Sequence, residues 1–231
     1  MTIKLSPRLV LLLLALLLLL LGLSQFAPKA TLSFVGQPSQ TFSRHYLARK
    51  ALFDQAREQS TVAFVGDSLT EGMPWQQILP NTTTANRGIN GDTLPGLQNR
   101  LDSVFATEAR CVLVMMGIND LMQGESVKQT LASYRDVIST LARRHPRIVI
   151  QSTLLTTNDQ LNQLVVELNE GLRQLASEFS NVEFIDLNTT LGENHRLRTS
   201  YTMDGVHLTN EGYSVWQQQI EPVITLALST P

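Results

Sequence analysis

The chain has 231 residues and a net charge of −2, from 18 Lys and Arg against 20 Asp and Glu. That balance excludes the basic face with which a nucleic-acid binder displaces counterions from phosphates. A single cysteine, Cys111, excludes an internal disulfide framework and a cysteine-based zinc cluster, and a hydrophobic content of 43% excludes a disordered chain.

The N-terminus carries Lys4 and Arg8 and no acidic residue; Leu9 to Leu23 comes next, apolar at 14 of 15 positions. A basic stretch followed by an apolar one is the pattern that engages the export machinery. Leu9 to Ala27 spans 19 residues, close to the roughly 20 that cross a bilayer as a helix, which favours a signal anchor over residues 1–27. The other reading is a cleaved signal peptide, for which Gly22-Leu23-Ser24 is the candidate site; Ala27 is followed by Pro28, which disfavours a cut there. In either case the positive end is expected to stay in the cytoplasm and the rest of the chain outside it, membrane-anchored or, once cut, secreted or periplasmic. Residues 28–40, with Pro28, Gly36 and Pro38, lack periodicity and read as a linker.

From residue 41 to the end, short apolar runs alternate with longer amphipathic ones. Residues 42–59 predict a helix. Thr61 to Val65 is a β-branched run ending at Gly66 and predicts a buried strand; a weaker strand candidate covers Thr83 to Asn86. Gly96 to Thr107 has helical spacing. Cys111 to Met116 predicts a second buried strand ending at Gly117, with Cys111 a buried inert thiol. Ser126 to Arg144 predicts a helix, Arg147 to Thr153 a strand, Leu161 to Ser180 a helix, Val182 to Asp186 a strand and Asn210 to Leu228 the last helix. This order implies parallel βαβ units in one domain over residues 41–231. The fold is then an α/β three-layer sandwich around a doubly wound, mainly parallel, five-stranded sheet, preceded by one N-terminal hydrophobic helix.

In such sheets, ligands gather at the carboxyl ends of the strands, and four blocks fall there. Gly66-Asp67-Ser68-Leu69-Thr70 presents a serine at a strand-to-helix turn, where free amides favour an anion; Ser and Asp there also suit a helix N-cap. This is not the Gly-x-Ser-x-Gly elbow of the α/β-hydrolases, because position 70 is Thr. Gly88-Ile89-Asn90-Gly91-Asp92-Thr93 brings the backbone close to a ligand but lacks the spacing of a dinucleotide fingerprint; a plain turn fits it as well. Gly117-Ile118-Asn119-Asp120 supplies Asn119, an uncharged donor suited to an oxyanion or to capping a turn. Asp204-Gly205-Val206-His207 places a carboxylate three residues before an imidazole that can exchange protons near neutrality. His195 and Glu193 beside Asp204 and His207 have no recognised metal-ligand spacing, and His45 and His145 are expected to face solvent.

Together these blocks resemble those of the SGNH, or GDSL, hydrolases, over residues 41–231, and are most similar to the small platelet-activating-factor acetylhydrolase-like and lysophospholipase L1-like esterases. The resemblance implies a flavodoxin-like SGNH fold, a triad of Ser68 as nucleophile, His207 as base and Asp204 as its orienting acid, and an oxyanion hole from Ser68, Gly91 and Asn119. Gly91 is preferred to Gly88 because it directly precedes Asp92-Thr93. No cofactor and no metal are implied. The expected substrates are carboxylic esters of lipids, lysolipids or short acyl groups, with carbohydrate O-deacetylation the alternative; the membrane would be a partner through the N-terminal segment, and nucleic acid would not. A catalytically silent, membrane-tethered binding domain is the reading from another class, and the intact set of Ser68, Asn119, Asp204 and His207 argues against it. Leu69, Met73, Trp75, Leu121 and Met122, beside the blocks, are candidates for an apolar acyl site or for ordinary core.

Overall fold

The computed structural model describes residues 42–56 and 59–229; the anchor expected over 1–27 and the linker over 28–40 lie outside the described residues. Five parallel strands form the central sheet: β1 (Val62–Gly66), β2 (Thr84–Gly88), β3 (Cys111–Met115), β4 (Arg147–Gln151) and β5 (Val182–Ile185). Their order is β2-β1-β3-β4-β5, so the direction of winding reverses between β1 and β3. That is the flavodoxin-like order, and the crevice outside the strand ends at the reversal is where such sheets bind ligands. A two-stranded antiparallel ribbon, Gly192–Glu193 with Arg196–Leu197, adds a small second sheet.

Side chains alternate across the strands and define two cores. Ala63, Val65, Val112, Val114, Ile148 and Ile150 face one side, where they pack against helices α4 (Leu94–Gln98), α5 (Leu101–Phe105), α7 (Val127–Ala142) and α8 (Asp159–Ser177). Val62, Phe64, Cys111, Leu113 and Met115 face the other, against α3 (Trp75–Ile78), α9 (Asn188–Leu191) and α10 (Asn210–Ser229). The three expected layers result. Strands buried on both faces carry continuous apolar runs, which is why Val62–Gly66 and Cys111–Met115 read so clearly in the sequence. Cys111 is buried, and burial pushes its thiol up to about 12, so it is inert.

The long helices begin where their caps dictate. Ser43 starts α1 (Arg44–Gln55) by accepting the Tyr46 N–H, Ser126 forms a capping box with Gln129 ahead of α7, and Asn158 accepts the Gln160 and Leu161 N–H groups ahead of α8. The helix expected from Gly96 to Thr107 is instead two short ones, α4 and α5, broken at Asn99 and Arg100. Arg100 leaves helical geometry (φ −132°, ψ 17°) because its side chain turns inward. It donates to Asp92 Oδ2 at 2.7 Å, to the Arg87 carbonyl at 2.8 Å and to the Gly66 carbonyl at 3.1 Å. His145 is likewise not solvent-facing. Helix α7 stops at Ala142, and the chain turns His145 into the interior, where Nδ1 donates to the Ala109 carbonyl at 2.9 Å.

Candidate active site

The β1–α2 turn builds the site from the bottom. Asp67 caps helix α2 (Ser68–Glu71), its Oδ1 accepting the Leu69 N–H at 3.0 Å, and Ser68 is the first residue of that helix. A residue in that position has an amide with no intrahelical partner, aimed outward with the positive end of the turn. Gly66 lets the turn close: a Cβ there would fall 2.0 Å from Thr70 Oγ1 and 2.7 Å from the Met115 carbonyl.

The imidazole arrives from the other end of the chain. Residues 202–208 form a tight loop closed by the Thr202–Leu208 bridge, with Met203 N–H and Thr202 Oγ1 both donating to the His207 carbonyl. Gly205 has φ +96° and packs so closely on Thr157 that a Cβ would lie 2.3 Å from its hydroxyl oxygen; only glycine suits both demands. Asp204 Oδ1 accepts the backbone N–H groups of Val206 and His207, and Oδ2 accepts His207 Nδ1 at 2.7 Å. A proton on Nδ1 leaves Nε2 bare in the neutral ring, so Nε2 accepts from Ser68 Oγ, 3.0 Å away. These bonds hold the Asp204 carboxyl at about 2, with the His207 ring the leading cause.

Ser68, His207 and Asp204 are therefore joined by direct hydrogen bonds. Asn119 and Gly91 are linked at one remove, through Asp92. Asn119, in helix α6 (Ile118–Met122) at the end of β3, donates one N–H to the Asp92 carbonyl at 2.9 Å, next to Gly91. Gly91 has φ +73° in a turn closed by Asp92 N–H to the Ile89 carbonyl at 3.0 Å, a position that needs glycine. Gly88, the alternative weighed against it, ends β2 beneath Glu71, where a Cβ would fall 2.2 Å from the Glu71 nitrogen; its role is to let β2 and α2 touch.

A cavity of about 420 Å³ opens onto Ser68 and His207, and His45, Glu71, Gly72, Asn90, Asn210, Tyr213, Met203 and Leu208 complete its lining. The residues weighed as an apolar acyl site or as ordinary core do not line this cavity. Leu69, Met73, Trp75 and Leu121 are buried core: Trp75 stacks on Phe64 and meets Trp216 edge-on, while Met122 faces solvent. Apolar residues beside a motif look alike in sequence whether they pack inward or line a cleft, which is the source of the ambiguity. A larger cavity, about 680 Å³, shares Glu71 and Gly72 with the first but touches neither Ser68 nor His207.

Three carboxyl groups are buried beneath the site. Asp92 is paired with Arg100 in a nearly inaccessible ion pair. Burial pushes Asp67 up to about 7 and Asp120 up to about 6; each keeps one oxygen sealed without a hydrogen-bond partner. Sequence reasoning missed this cluster and also Glu71. The signal for Glu71 was present, since a residue three after Ser68 returns to the same side of the helix. His195 and Glu193 are exposed near the small ribbon, and among the described residues no three His, Cys, Asp or Glu side chains gather where they could hold a metal ion. Among the described residues, too, no helix is long and apolar enough to cross a membrane.

Residues 64–215 match the model of the GDSL-like Lipase/Acylhydrolase family. The structure is similar to a Streptococcus pneumonia protein named for platelet activating factor (25% identity, 78% of this chain and 90% of that one, TM-score 0.70). It shares its fold with a GDSL-like lipase from Bacteroides thetaiotaomicron (22%, 79% and 96%, TM-score 0.66). It also shares it with an acetylxylan esterase from Geobacillus stearothermophilus, solved as a catalytic mutant (18%, 73% and 95%, TM-score 0.62). Among curated proteins it is similar to N-acylneuraminate cytidylyltransferase from Streptococcus agalactiae, 25% identical over 167 residues; those cover 71% of this chain but only 38% of that protein. The chain thus spans about two fifths of the curated relatives it matches.

Proposed function

The chain belongs to the GDSL-like lipase/acylhydrolase family, and from that premise we propose that it is a serine hydrolase of carboxylic esters working through Ser68, His207 and Asp204. The observation that carries the reading is the continuous chain of hydrogen bonds from Ser68 Oγ to His207 Nε2 (3.0 Å) and from His207 Nδ1 to Asp204 (2.7 Å). His207 takes the Ser68 proton as Oγ attacks the ester carbonyl, and the tetrahedral oxyanion is met by the amides of Ser68 and Gly91 and the side chain of Asn119. His207 then returns the proton to the departing alcohol, leaving an acyl group on Ser68. Water, deprotonated by the same ring, attacks the acyl carbon and releases the acid, and Ser68 recovers its proton. Asp204 holds the tautomer and balances the imidazolium formed in each step.

The cavity supports short acyl groups over long ones. Its walls carry His45, Glu71, Asn90 and Asn210 beside Met203 and Leu208, and Leu69, Met73, Trp75 and Leu121, which could have formed an acyl channel, are buried in the core. An acetylxylan esterase shares the fold, which lends support to acetyl esters of sugars as one form of substrate. The basic and leucine-rich residues 1–27 support an extracytoplasmic location at the membrane. Turnover of p-nitrophenyl esters from acetate to decanoate tests both parts. Acetate is expected to be hydrolysed fastest, with activity abolished in Ser68→Ala; a preference for decanoate would overturn the short-acyl reading, and an unimpaired Ser68→Ala the whole mechanism.

A further inference from the structure

Glu71 ends the helix that Ser68 begins, and its carboxyl group is gripped from three sides. His45 Nε2 donates to it at 2.9 Å, Arg49 Nε stands 3.1 Å away as an ion pair whose N–H is not directed along the contact, and the Asn90 backbone N–H donates to Oε2 at 2.5 Å. Its side chain is only 20% exposed. His45 and Arg49 lie one turn apart on α1, which is itself fastened down by the Tyr46 hydroxyl donating to the Gly96 carbonyl at 2.8 Å.

Asn90 directly precedes the Gly91 amide, which gives its bond to Glu71 a particular weight. Ile89 to Asp92 is a four-residue turn with Asn90 and Gly91 at its centre, closed by Asp92 N–H to Ile89 C=O. In a turn of this kind the central peptide, which carries the Gly91 N–H, takes no part in the closing bond. It can rotate about Asn90 ψ and Gly91 φ, and a half-turn rotation exchanges the directions of its C=O and N–H. In the acyl-transfer mechanism that N–H is an oxyanion donor, so its direction decides whether it faces the reacting carbonyl. Asn86 ties β2 to α2 through the Thr70, Glu71 and Met73 carbonyls, but it acts before the turn begins. Ile89 N–H donates to the Gly66 carbonyl at 3.1 Å where the turn starts, and from the nucleophile's own helix Glu71 reaches Asn90.

We propose that Glu71 is a positioning residue: it braces the turn carrying the Gly91 amide against the helix carrying Ser68, and His45 and Arg49 of α1 hold the brace. The proposal rests on the ester-hydrolase reading for its kinetic consequence but not for its structural one.

The test compares Glu71→Ala, Glu71→Gln and His45→Ala with the intact enzyme, by p-nitrophenyl acetate kinetics and by hydrogen–deuterium exchange of the peptide covering residues 88–92. Glu71→Ala is expected to lower kcat on the order of 10–100-fold with KM little changed, as for a misplaced catalytic group, and to speed exchange in 88–92. Glu71→Gln keeps an acceptor for the Asn90 N–H and is expected to restore most of both; His45→Ala falls between, and serves with Glu71→Gln if Glu71→Ala does not fold. A rise in KM at unchanged kcat would overturn the proposal by making Glu71 a substrate contact, as would a Glu71→Gln no better than Glu71→Ala. If intact enzyme and Ser68→Ala prove equally inactive on esters, the hydrolase reading fails while exchange still decides the brace: faster exchange in Glu71→Ala upholds it, and unchanged exchange ends it.

Discussion

Asp204 holds His207 at two points: one carboxylate oxygen accepts the backbone N–H at 2.8 Å and the other accepts ring Nδ1 at 2.7 Å. The spacing of three residues is what allows both, because the loop must curl enough to bring the histidine's amide and ring to the same carboxylate. The ring is thereby fixed in tautomer and in direction before any substrate arrives.

Replacing that carboxylate separates its two tasks. Asp204→Asn keeps a carbonyl oxygen for the loop amides but loses the charge that balances an imidazolium. With the Asp204 side chain 54% exposed, solvent supplies part of that balance, and kcat/KM is expected to fall on the order of 10²-fold, the low end for a disabled acid–base pair. Because the carboxyl is held at about 2, acidification to pH 4 leaves it charged, and the low-field Nδ1 proton resonance of His207 is expected to persist there. Loss of that resonance in wild type at pH 4 would contradict the assignment.

Asn119 spends one N–H on the Asp92 carbonyl and has a second to offer. Asn119→Ala is expected to lower kcat on the order of 10²–10³-fold, as for a single lost oxyanion donor, with little change in KM. Asn119→Asp removes the donors and adds like charge beside a developing oxyanion, so its loss is expected to be at least as large. Equal activity of the Asp and wild-type enzymes in steady-state assays would remove Asn119 from the oxyanion hole.

The buried Asp67 makes stability fall as pH rises. Its carboxyl gives up a proton near 4 in an unfolded chain and, under the burial that dominates its surroundings, near 7 in the folded one. Between those values the folded state binds more protons, so stability declines from about pH 4 to about pH 7 and is level beyond. Asp67→Asn keeps an oxygen for the Leu69 N–H and removes the ionisation. Relative to wild type, its urea midpoint is expected to climb between pH 4 and pH 7; a constant difference across that range would show that Asp67 does not titrate there.

Periodicity and strand ends account for most of the legibility of this sequence. Val62–Gly66 and Cys111–Met115 were readable because sheets covered on both faces demand continuous apolar runs, whereas β2, with Asn86 and Arg87, gave only a weak signal. The turns that carry Ser68, Asn119 and His207 were readable because each comes after a strand or before a helix. Side chains whose role depends on three-dimensional partners were not. Arg100 carries a surface residue's signature, yet it turns inward to Asp92 and breaks a helix. His145 is polar and lies past a helix end, and the Ala109 carbonyl and the Phe105 ring that receive it explain its burial. Glu71 gains its significance from His45 and Asn90, respectively 26 residues before it and 19 after.

The measurement closest to the central claim is capture of the covalent intermediate. Rapid acid quench of the enzyme mixed with p-nitrophenyl acetate, followed by peptide mass spectrometry, is expected to find an acetyl group on Ser68 that is absent from Ser68→Ala. An acetyl group on another residue, or none while Ser68→Ala turns over at the wild-type rate, would contradict nucleophilic catalysis by Ser68.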